Sequence, residues 1–451
     1  MMENELFKLF QNYQINIKNI KIDNVQWKSQ EASASSVLFY KLNSTTPEEV
    51  KKLKERLSCA QYAICIIDKK IDVLSNDIFS LSEAEFCSLR ESILNMMYPL
   101  PRKPKYLGVT GTNGKTTTVD LVRKICITHG KKILSVGTLG VYLGKERIKN
   151  FNLTSPAYID LRKILSLKAQ EVDFVAMELS SHALLQNRTG GIIFNQIAWT
   201  NLSQDHLDYH KTMEAYLNAK KIVFDIVKAD KKIILPLAQK KLGEKINKED
   251  RIKYVSLDFE PKNLSFKMSY NQENLALAIN LLSDYFMVEQ SKIEQFEGTE
   301  GRFNIIPYKD SLVIIDYAHT PDGLSSICRE IKKSFPNFYL ITIFGCGGDR
   351  DEEKRPLMAS AAEEFSDEVV LTSDNPRFEK AEKIIEDTRK GFSKLQTIIV
   401  DRKKAITETL ERTQSKSIIL IAGKGHENYI DIKGEKLPYS DQALVMELIN
   451  D

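Results

Sequence analysis

Charge of one sign is what this chain most lacks. Its 64 basic and 61 acidic side chains leave a formal charge of +3, so no broad basic field exists to draw a nucleic acid, and none is expected as a partner. Long apolar runs are missing too. Nowhere do about 18 apolar residues follow one another, which argues against a spanning helix and a membrane role. Cysteine is scarce, and its six residues (Cys59, Cys65, Cys87, Cys126, Cys328, Cys346) form no CxxC pair, so neither a zinc ribbon nor a redox motif is expected. Thiols scattered through a chain of this length read as reduced and mostly buried, the cytoplasmic pattern. The start, MMENELFKLFQNYQ, holds acidic residues and no apolar segment, so a secretory signal is not expected.

What is present is globular material. Apolar residues make up 42% and charged residues 28% of 451 residues, enough for two to four cores and too apolar for a disordered chain. Segments rich in β-branched residues alternate with amphipathic stretches. Strands are expected at Lys105–Thr110, Phe174–Met177, Ile192–Thr200, Leu312–Asp316, Tyr339–Phe344, Glu368–Leu371 and Ser417–Ala422. Helices are expected at Thr116–His129, Met213–Val227 and Pro356–Phe365. Such interleaving implies an α/β fold with parallel sheets covered on both faces. Two junctions divide the chain. Pro99–Pro104 carries three prolines in six residues and marks a stiff linker; Phe296–Arg302 is polar and glycine-bearing. The expected domains are therefore 1–100, 101–300 and 301–451.

The strongest local signal is Tyr106–Thr118, where a strand runs through a glycine turn into a helix beginning near Thr116. Gly111 and Gly114 can take backbone angles closed to other residues, so that consecutive N–H groups converge on phosphate oxygens, with the helix N-terminus behind them. Lys115 would lie along the β- and γ-phosphates, and the Thr116 hydroxyl would ligate magnesium. The pattern is GxxGxxGKT, a shorter variant of the usual P-loop, because Val109 stands where its first glycine would be. The bland alternative is a glycine turn capping an ordinary helix, with Lys115 merely exposed.

Downstream, polar residues gather at the ends of apolar strands, where α/β proteins bind ligands. One group is Met177–His182, another Thr200–His210. Five of six histidines (His182, His206, His210, His319, His426) fall in such clusters. Taken together, GTNGKTT, MELSSH, TNLSQDHLDYH, Ala219–Lys220, GRF at Gly301–Phe303, DYAHTPD at Asp316–Asp322, FGCGGDRDEEKRP at Phe344–Pro356, DNPR at Asp374–Arg377 and AGKGHE at Ala422–Glu427 resemble the Mur ligase family, in family order.

The resemblance implies three domains: an N-terminal one for a UDP-linked substrate, a central P-loop-type doubly wound sheet for ATP, and a Rossmann-like C-terminal one for an amino acid. It implies an ATP-dependent carboxylate–amine ligase, acting alone as a monomer in the cytoplasm, that extends UDP-MurNAc-L-Ala-D-Glu through an acyl phosphate during cell-wall precursor synthesis. ATP would be held by Gly111, Thr112, Asn113, Gly114, Lys115, Thr116 and Thr117, by Arg302, Asp316 and His319, and at its base by Asn271 and Asn274. Helix N-capping explains Asn271 equally well. Of two magnesium ions, Thr116 would hold the first and Glu178 and His206 the second. Lys220 matches the family's carbamylated lysine (N6-carboxylysine), whose carbamate, formed from carbon dioxide, would hold metal. Lys115, Lys220, His206 and Arg302 are thus the catalytic candidates.

For the UDP-substrate the matches are Thr154, Ser155, Ser180, Gln186 and Arg188. In the divergent first hundred residues only Ser29 survives from the family's uridine motif. For the amino acid they are Arg350, Asp374, Asn375, Pro376, Arg377, Gly423 and Glu427. The DNPR form matches ligases that add meso-diaminopimelate, because an arginine fork pairs with the distal carboxylate of that acceptor and repels a lone ammonium. Other readings are a lysine-adding or folylpolyglutamate-type ligase, and a non-catalytic nucleotide-binding module.

Overall fold

The computed structural model describes every residue except 1, 16, 18, 19, 43, 72–76, 152, 263–265, 295, 297, 298, 300, 414, 415 and 451. Glu297, Gly298 and Glu300 of the second expected junction therefore lie outside the described residues. Two compact units emerge. The first gathers Met1–Pro104, Pro156–Val172 and Asn187–Ile192, and the second holds the remainder.

The first unit is built on four parallel strands, β1 (Asn24–Gln26), β2 (Ser36–Tyr40), β3 (Ile64–Ile67) and β4 (Ile78–Ser80), paired in that order. All four β3 residues are buried, as strands covered on both faces must be. The helix Glu83–Met97 starts with a capping box, Ser82 and Glu85 each bonding the other's backbone N–H. The helix Tyr158–Lys168 belongs to this unit through Tyr158 and Ile159 in its core, and Trp27 Nε1 donates to Asp160 Oδ2 at 2.9 Å. Ser29 opens a short 3-10 turn and is buried.

The second unit contains two larger sheets. The first comprises β5 (Lys105–Thr110), β6 (Ile133–Gly137), β7 (Gly140–Leu143), β8 (Glu146–Lys149), β9 (Phe174–Glu178), β10 (Gln196–Trp199), β11 (Ile233–Pro236) and β12 (Ile252–Val255), in the order β12-β11-β10-β5-β9-β6-β7-β8. It is parallel through β6 and antiparallel in the β6-β7-β8 meander. Leu107, Val109 and Ala176 pack with Val122, Ile125, Leu275 and Leu281 of the helices Lys115–Thr128 and Ser269–Leu282. The other sheet has the order β13-β14-β18-β15-β16-β17, from Asn304–Tyr308, Ser311–Asp316, Tyr339–Phe344 (β15), Glu368–Leu371 (β16), Thr397–Ile398 (β17) and Ser417–Ala422 (β18). Only its β13–β14 edge is antiparallel. A hairpin, β19 (Tyr429–Ile432) with β20 (Glu435–Pro438), forms a separate two-stranded sheet bridged to Arg377.

Most expected elements lie within a residue or two of their places, with two differences. The strand at Ile192–Thr200 is only Gln196–Trp199. The helix over Met213–Val227 stops at Lys221 and resumes as Val223–Ile226. The second piece ends at Ile226, where the backbone turns to pair with Phe194, whose N–H donates to Ile226 O at 2.7 Å.

Candidate active site

Parallel topology delivers the ends of β5, β9 and β10 to one edge of the first large sheet, and two glycines shape the turn there. Gly111 has φ 142° and Gly114 φ 82°, angles that side chains rarely adopt. Space is closed as well: a Cβ on Gly111 would lie 1.8 Å from Thr200 Oγ1, and one on Gly114 2.4 Å from Asn274 Oδ1. Gly114 is the N-cap of the helix Lys115–Thr128, so unpaired N–H groups face the turn. The strand end after β10 braces it. Asn113 N donates to Asn201 Oδ1 at 2.9 Å, and Thr112 Oγ1 accepts from Ser203 N at 3.0 Å.

Two amines meet on one oxygen. Lys115 Nζ donates to Gly111 O at 2.9 Å and to Thr112 O at 2.7 Å; Lys220 Nζ donates to the same Gly111 O at 2.8 Å. Lys220 is fully enclosed, its ammonium 4.6 Å from the Tyr216 ring centre. Burial, then the neighbouring Lys115 charge, takes the Lys220 amine well below the ordinary lysine value, and burial lowers Lys115 too. Like charges this close disfavour the doubly charged pair and bias the Lys220 amine toward its neutral form.

Glu178, the last residue of β9, is buried facing the helix start. It accepts from Thr116 Oγ1 at 3.1 Å, from Thr138 N at 2.7 Å and from Thr138 Oγ1 at 3.1 Å. Gly137 makes room, since a Cβ there would lie 2.2 Å from Glu178 Oε1. Burial pushes the Glu178 carboxyl up, and Lys115 offsets part of that rise. His206, at φ 54°, sits with Nε2 3.4 Å from Asp205 Oδ2. Burial takes its imidazole down to about 4, so the ring is neutral at ordinary pH and has a lone pair to give a metal. Among the described residues no three His, Cys, Asp or Glu side chains converge as a closed metal cage. Magnesium does not need one: it keeps several waters and takes phosphate oxygens. The hydroxyl of Thr116 beside the carboxylate of Glu178 fits it.

From the second large sheet, Arg302 reaches the same place. Its Nη2 lies 3.5 Å from Thr116 Oγ1, and its guanidinium is 4.3 Å from the Tyr317 ring centre. Gly301, at φ 65°, backs onto the loop after β18, where a Cβ would come within 2.1 Å of His426 N. Asp316 accepts from Phe303 N and Ala318 N at 2.7 Å each; it clamps the turn that carries Arg302. Asn274 Oδ1 accepts from Thr118 Oγ1 at 3.3 Å. Asn271 is the third residue of the helix Ser269–Leu282, whose N-cap is Met268, so the N-capping explanation for it fails. Glu330 does that work, its Oε2 accepting from Ser269 N at 3.0 Å.

Many of these groups border one cavity of about 580 Å³. Thr112 through Thr116, Thr154, Glu178, His206, Arg302 and His319 line its phosphate side; Arg350, Asp374, Asn375, Arg377, Gly423 and Glu427 line the other. Arg377, at φ 51°, spends Nη1 on Gly348 O at 2.7 Å, and Asn375 Nδ2 donates to Glu427 Oε2 at 2.9 Å. Several expected residues are not among the lining: Gly111, Thr117, Lys220, Asn271, Asn274, Asp316 and Pro376. Ser155, Ser180 and Gln186 are likewise set back. Ser155 Oγ donates to Glu178 O at 2.9 Å, Ser180 caps the helix Ser181–Leu185, and Gln186 Nε2 donates to Tyr209 OH at 3.3 Å. Arg188 belongs to the first unit. The cavity also has walls that sequence reasoning passed over. Asp205 and Lys354 line it from within quoted motifs, and Arg147 from the β7–β8 hairpin, which carried no signal.

Comparison with known proteins follows the same division. Residues 109–305 match the Mur ligase middle domain and residues 301–425 the Mur ligase glutamate ligase domain. The UDP-N-acetylmuramoyl-L-alanyl-D-glutamate--2,6-diaminopimelate ligase of Aquifex aeolicus is 34% identical over 91% of this chain and 90% of its own. The ligase of that name from Clostridium tetani is 31% identical, with 97% of each chain covered. A solved structure of a ligase so named aligns with TM-score 0.62 and 27% identity over 95% of each chain. Folylpolyglutamate synthase from Thermotoga maritima shares the fold, at TM-score 0.55 and 18% identity over 74% of this chain and 89% of its own.

Proposed function

Because this chain belongs to the Mur ligase family, we propose that it is the ATP-dependent ligase adding meso-diaminopimelate to UDP-MurNAc-L-Ala-D-Glu. The observation carrying this reading is the single cavity in which Lys115, Glu178, His206 and Arg302 face the acceptor loop Asp374–Arg377. The chemistry explains why such groups would be gathered. The terminal D-glutamate carboxylate attacks the γ-phosphate, ADP departs, and an acyl phosphate results. The amine of the acceptor then attacks the acyl carbon, and the tetrahedral adduct expels phosphate. The first step drives an anion onto a polyanion, so fixed positive charge and directed N–H groups must offset the repulsion.

This chain's residues supply those charges. The N–H groups of the 111–117 turn cradle the phosphates, and Arg302 approaches them beside Thr116. Lys115 Nζ donates to Gly111 O and Thr112 O, at the turn where the phosphates would lie. Thr116 would hold one magnesium ion and Glu178 with His206 a second, and bound magnesium would supply Lewis-acid charge neutralisation. Lys220 is enclosed and its amine is biased to the neutral form, the form that takes up carbon dioxide, which supports its reading as a carbamate. Asn271 and Asn274 are assigned to the base of ATP. Thr154, Ser155, Ser180, Gln186 and Arg188 are assigned to the UDP-substrate.

At the acceptor end, Arg350 and Arg377 pair with the distal carboxylate of diaminopimelate while Glu427 takes its distal ammonium. Lysine has no such carboxylate and would leave both guanidinium groups facing its ammonium. Mass spectrometry of the product formed from ATP, magnesium, UDP-MurNAc-L-Ala-D-Glu and diaminopimelate tests the reading. A product heavier by one diaminopimelate residue is expected, and preferential incorporation of lysine from an equimolar mixture would overturn it.

A further inference from the structure

Behind the acceptor wall lies a charged group that the proposed reaction does not use. Lys424 is wholly buried and is not among the cavity-lining residues. Its Nζ stands 3.0 Å from Asn375 Oδ1, 3.2 Å from Glu427 Oε2 and 3.4 Å from Asp374 Oδ1. All three partners do line the cavity. The arrangement is closed further: Asn375 Nδ2 donates to the same Glu427 Oε2 at 2.9 Å, Asn375 Oδ1 also accepts from Asp431 N at 2.9 Å, and Tyr317 OH is 3.5 Å from Glu427 Oε1. Gly423 must be glycine here, with φ 111° and a Cβ position 2.8 Å from Asp374 Oδ2.

We propose that Lys424 is a positioning residue of the acceptor pocket: its ammonium is the internal counter-ion that holds Asp374, Asn375 and Glu427 in one arrangement before the acceptor arrives. Two carboxylates and an amide oxygen sharing one buried cation are fixed relative to one another. Without the cation, Asp374 and Glu427 repel and turn apart. By binding Oε2, Lys424 leaves Oε1, which meets the Tyr317 hydroxyl at 3.5 Å, as the lobe of Glu427 with capacity for a substrate ammonium. It also halves the acidity of this end of the pocket, so that a lone ammonium is drawn less strongly than a head bearing both charges.

This inference rests on the acceptor reading above, and its test separates the two. Lys424→Ala and the volume-conserving Lys424→Met are compared with wild type for the KM of each substrate in turn. Expected is a rise of about tenfold or more in the acceptor KM, the scale of a lost charge-assisted hydrogen bond, with the ATP and UDP-substrate KM values within about twofold. In Lys424→Ala, n-propylamine, which restores the missing atoms, should recover acceptor affinity, whereas n-propanol should not. An unchanged acceptor KM, a parallel rise in all three, or loss of folding in both variants would overturn the proposal. If wild type uses an acceptor other than diaminopimelate, the functional reading fails while Lys424 is still tested on the acceptor that is used.

Discussion

At the scale of single residues, burial decides what each ionisable group can do. His319 and His426 are both pushed down to about 4, first by burial and then by nearby cations, Lys354 and Arg302 for His319 and Arg302 and Arg147 for His426. Their unfolded value is near 6.5, so below that pH the unfolded chain takes up protons that the folded chain refuses. Stability should therefore fall as pH drops from about 6.5 toward 4, and be insensitive to these groups above it. Calorimetry at pH 7.5, 6.5 and 5.5 checks this: melting temperature declines on acidification, and His319→Gln shows the shallower decline. The phosphate turn and the strand-end motifs were legible because each is local in sequence. Lys220 and Lys424 were only partly so. A lysine's letter says nothing of burial, and the shared Gly111 oxygen spans 109 positions of chain. Glu178→Gln, which keeps the hydrogen-bonded shape but removes the charge, should lower turnover by at least about a hundredfold and raise the magnesium concentration needed for half-maximal activity.

At the scale of elements, turns and clamps carry the argument. The Gly301 turn meets the Gly425–His426 backbone so closely that Gly301→Ala should cost about 1–3 kcal/mol, seen as a lowered melting temperature. Beneath the acceptor loops, Arg402 binds both Asp441 oxygens at 2.8–2.9 Å and Ala422 O at 3.0 Å, with Ser373 O at 3.4 Å. It thereby ties the ends of β16 and β18 to the helix Asp441–Asn450. Both partners are completely enclosed. Arg402→Met, which strands the Asp441 charge, should cost about 3–5 kcal/mol, and adding Asp441→Leu should recover much of that loss; chemical denaturation of the single and double variants measures both. The strands themselves were readable from β-branched runs. What composition could not reveal was the helix end at Ile226, where the backbone turns to pair with Phe194, or the cap that Glu330 supplies to Ser269 from 61 positions away.

At the scale of the whole molecule, two sheets of the second unit contribute to one cavity, so nucleotide binding should stabilise the unit as a body. ATP with magnesium at about 100 times its dissociation constant adds about 2.7 kcal/mol. Wild type should show the corresponding thermal shift in differential scanning fluorimetry, and Lys115→Ala should show little of it. The sequence order of motifs indicated an α/β chain with several sheets, but not that 156–172 and 187–192 pack with the first hundred residues. That grouping depends on side-chain packing such as Tyr158 and Ile159, which no motif records. The shared carbonyl of Gly111 has a consequence at this scale as well. When Lys115 leaves it for a nucleotide, the cation beside Lys220 moves away; conversely, if Lys220 carries a carbamate, its new negative charge strengthens the pull on Lys115. Carbon dioxide and the nucleotide then act as linked ligands, each altering the other's affinity by the same factor, and the midpoint of an ATP titration should differ between degassed and bicarbonate-buffered protein.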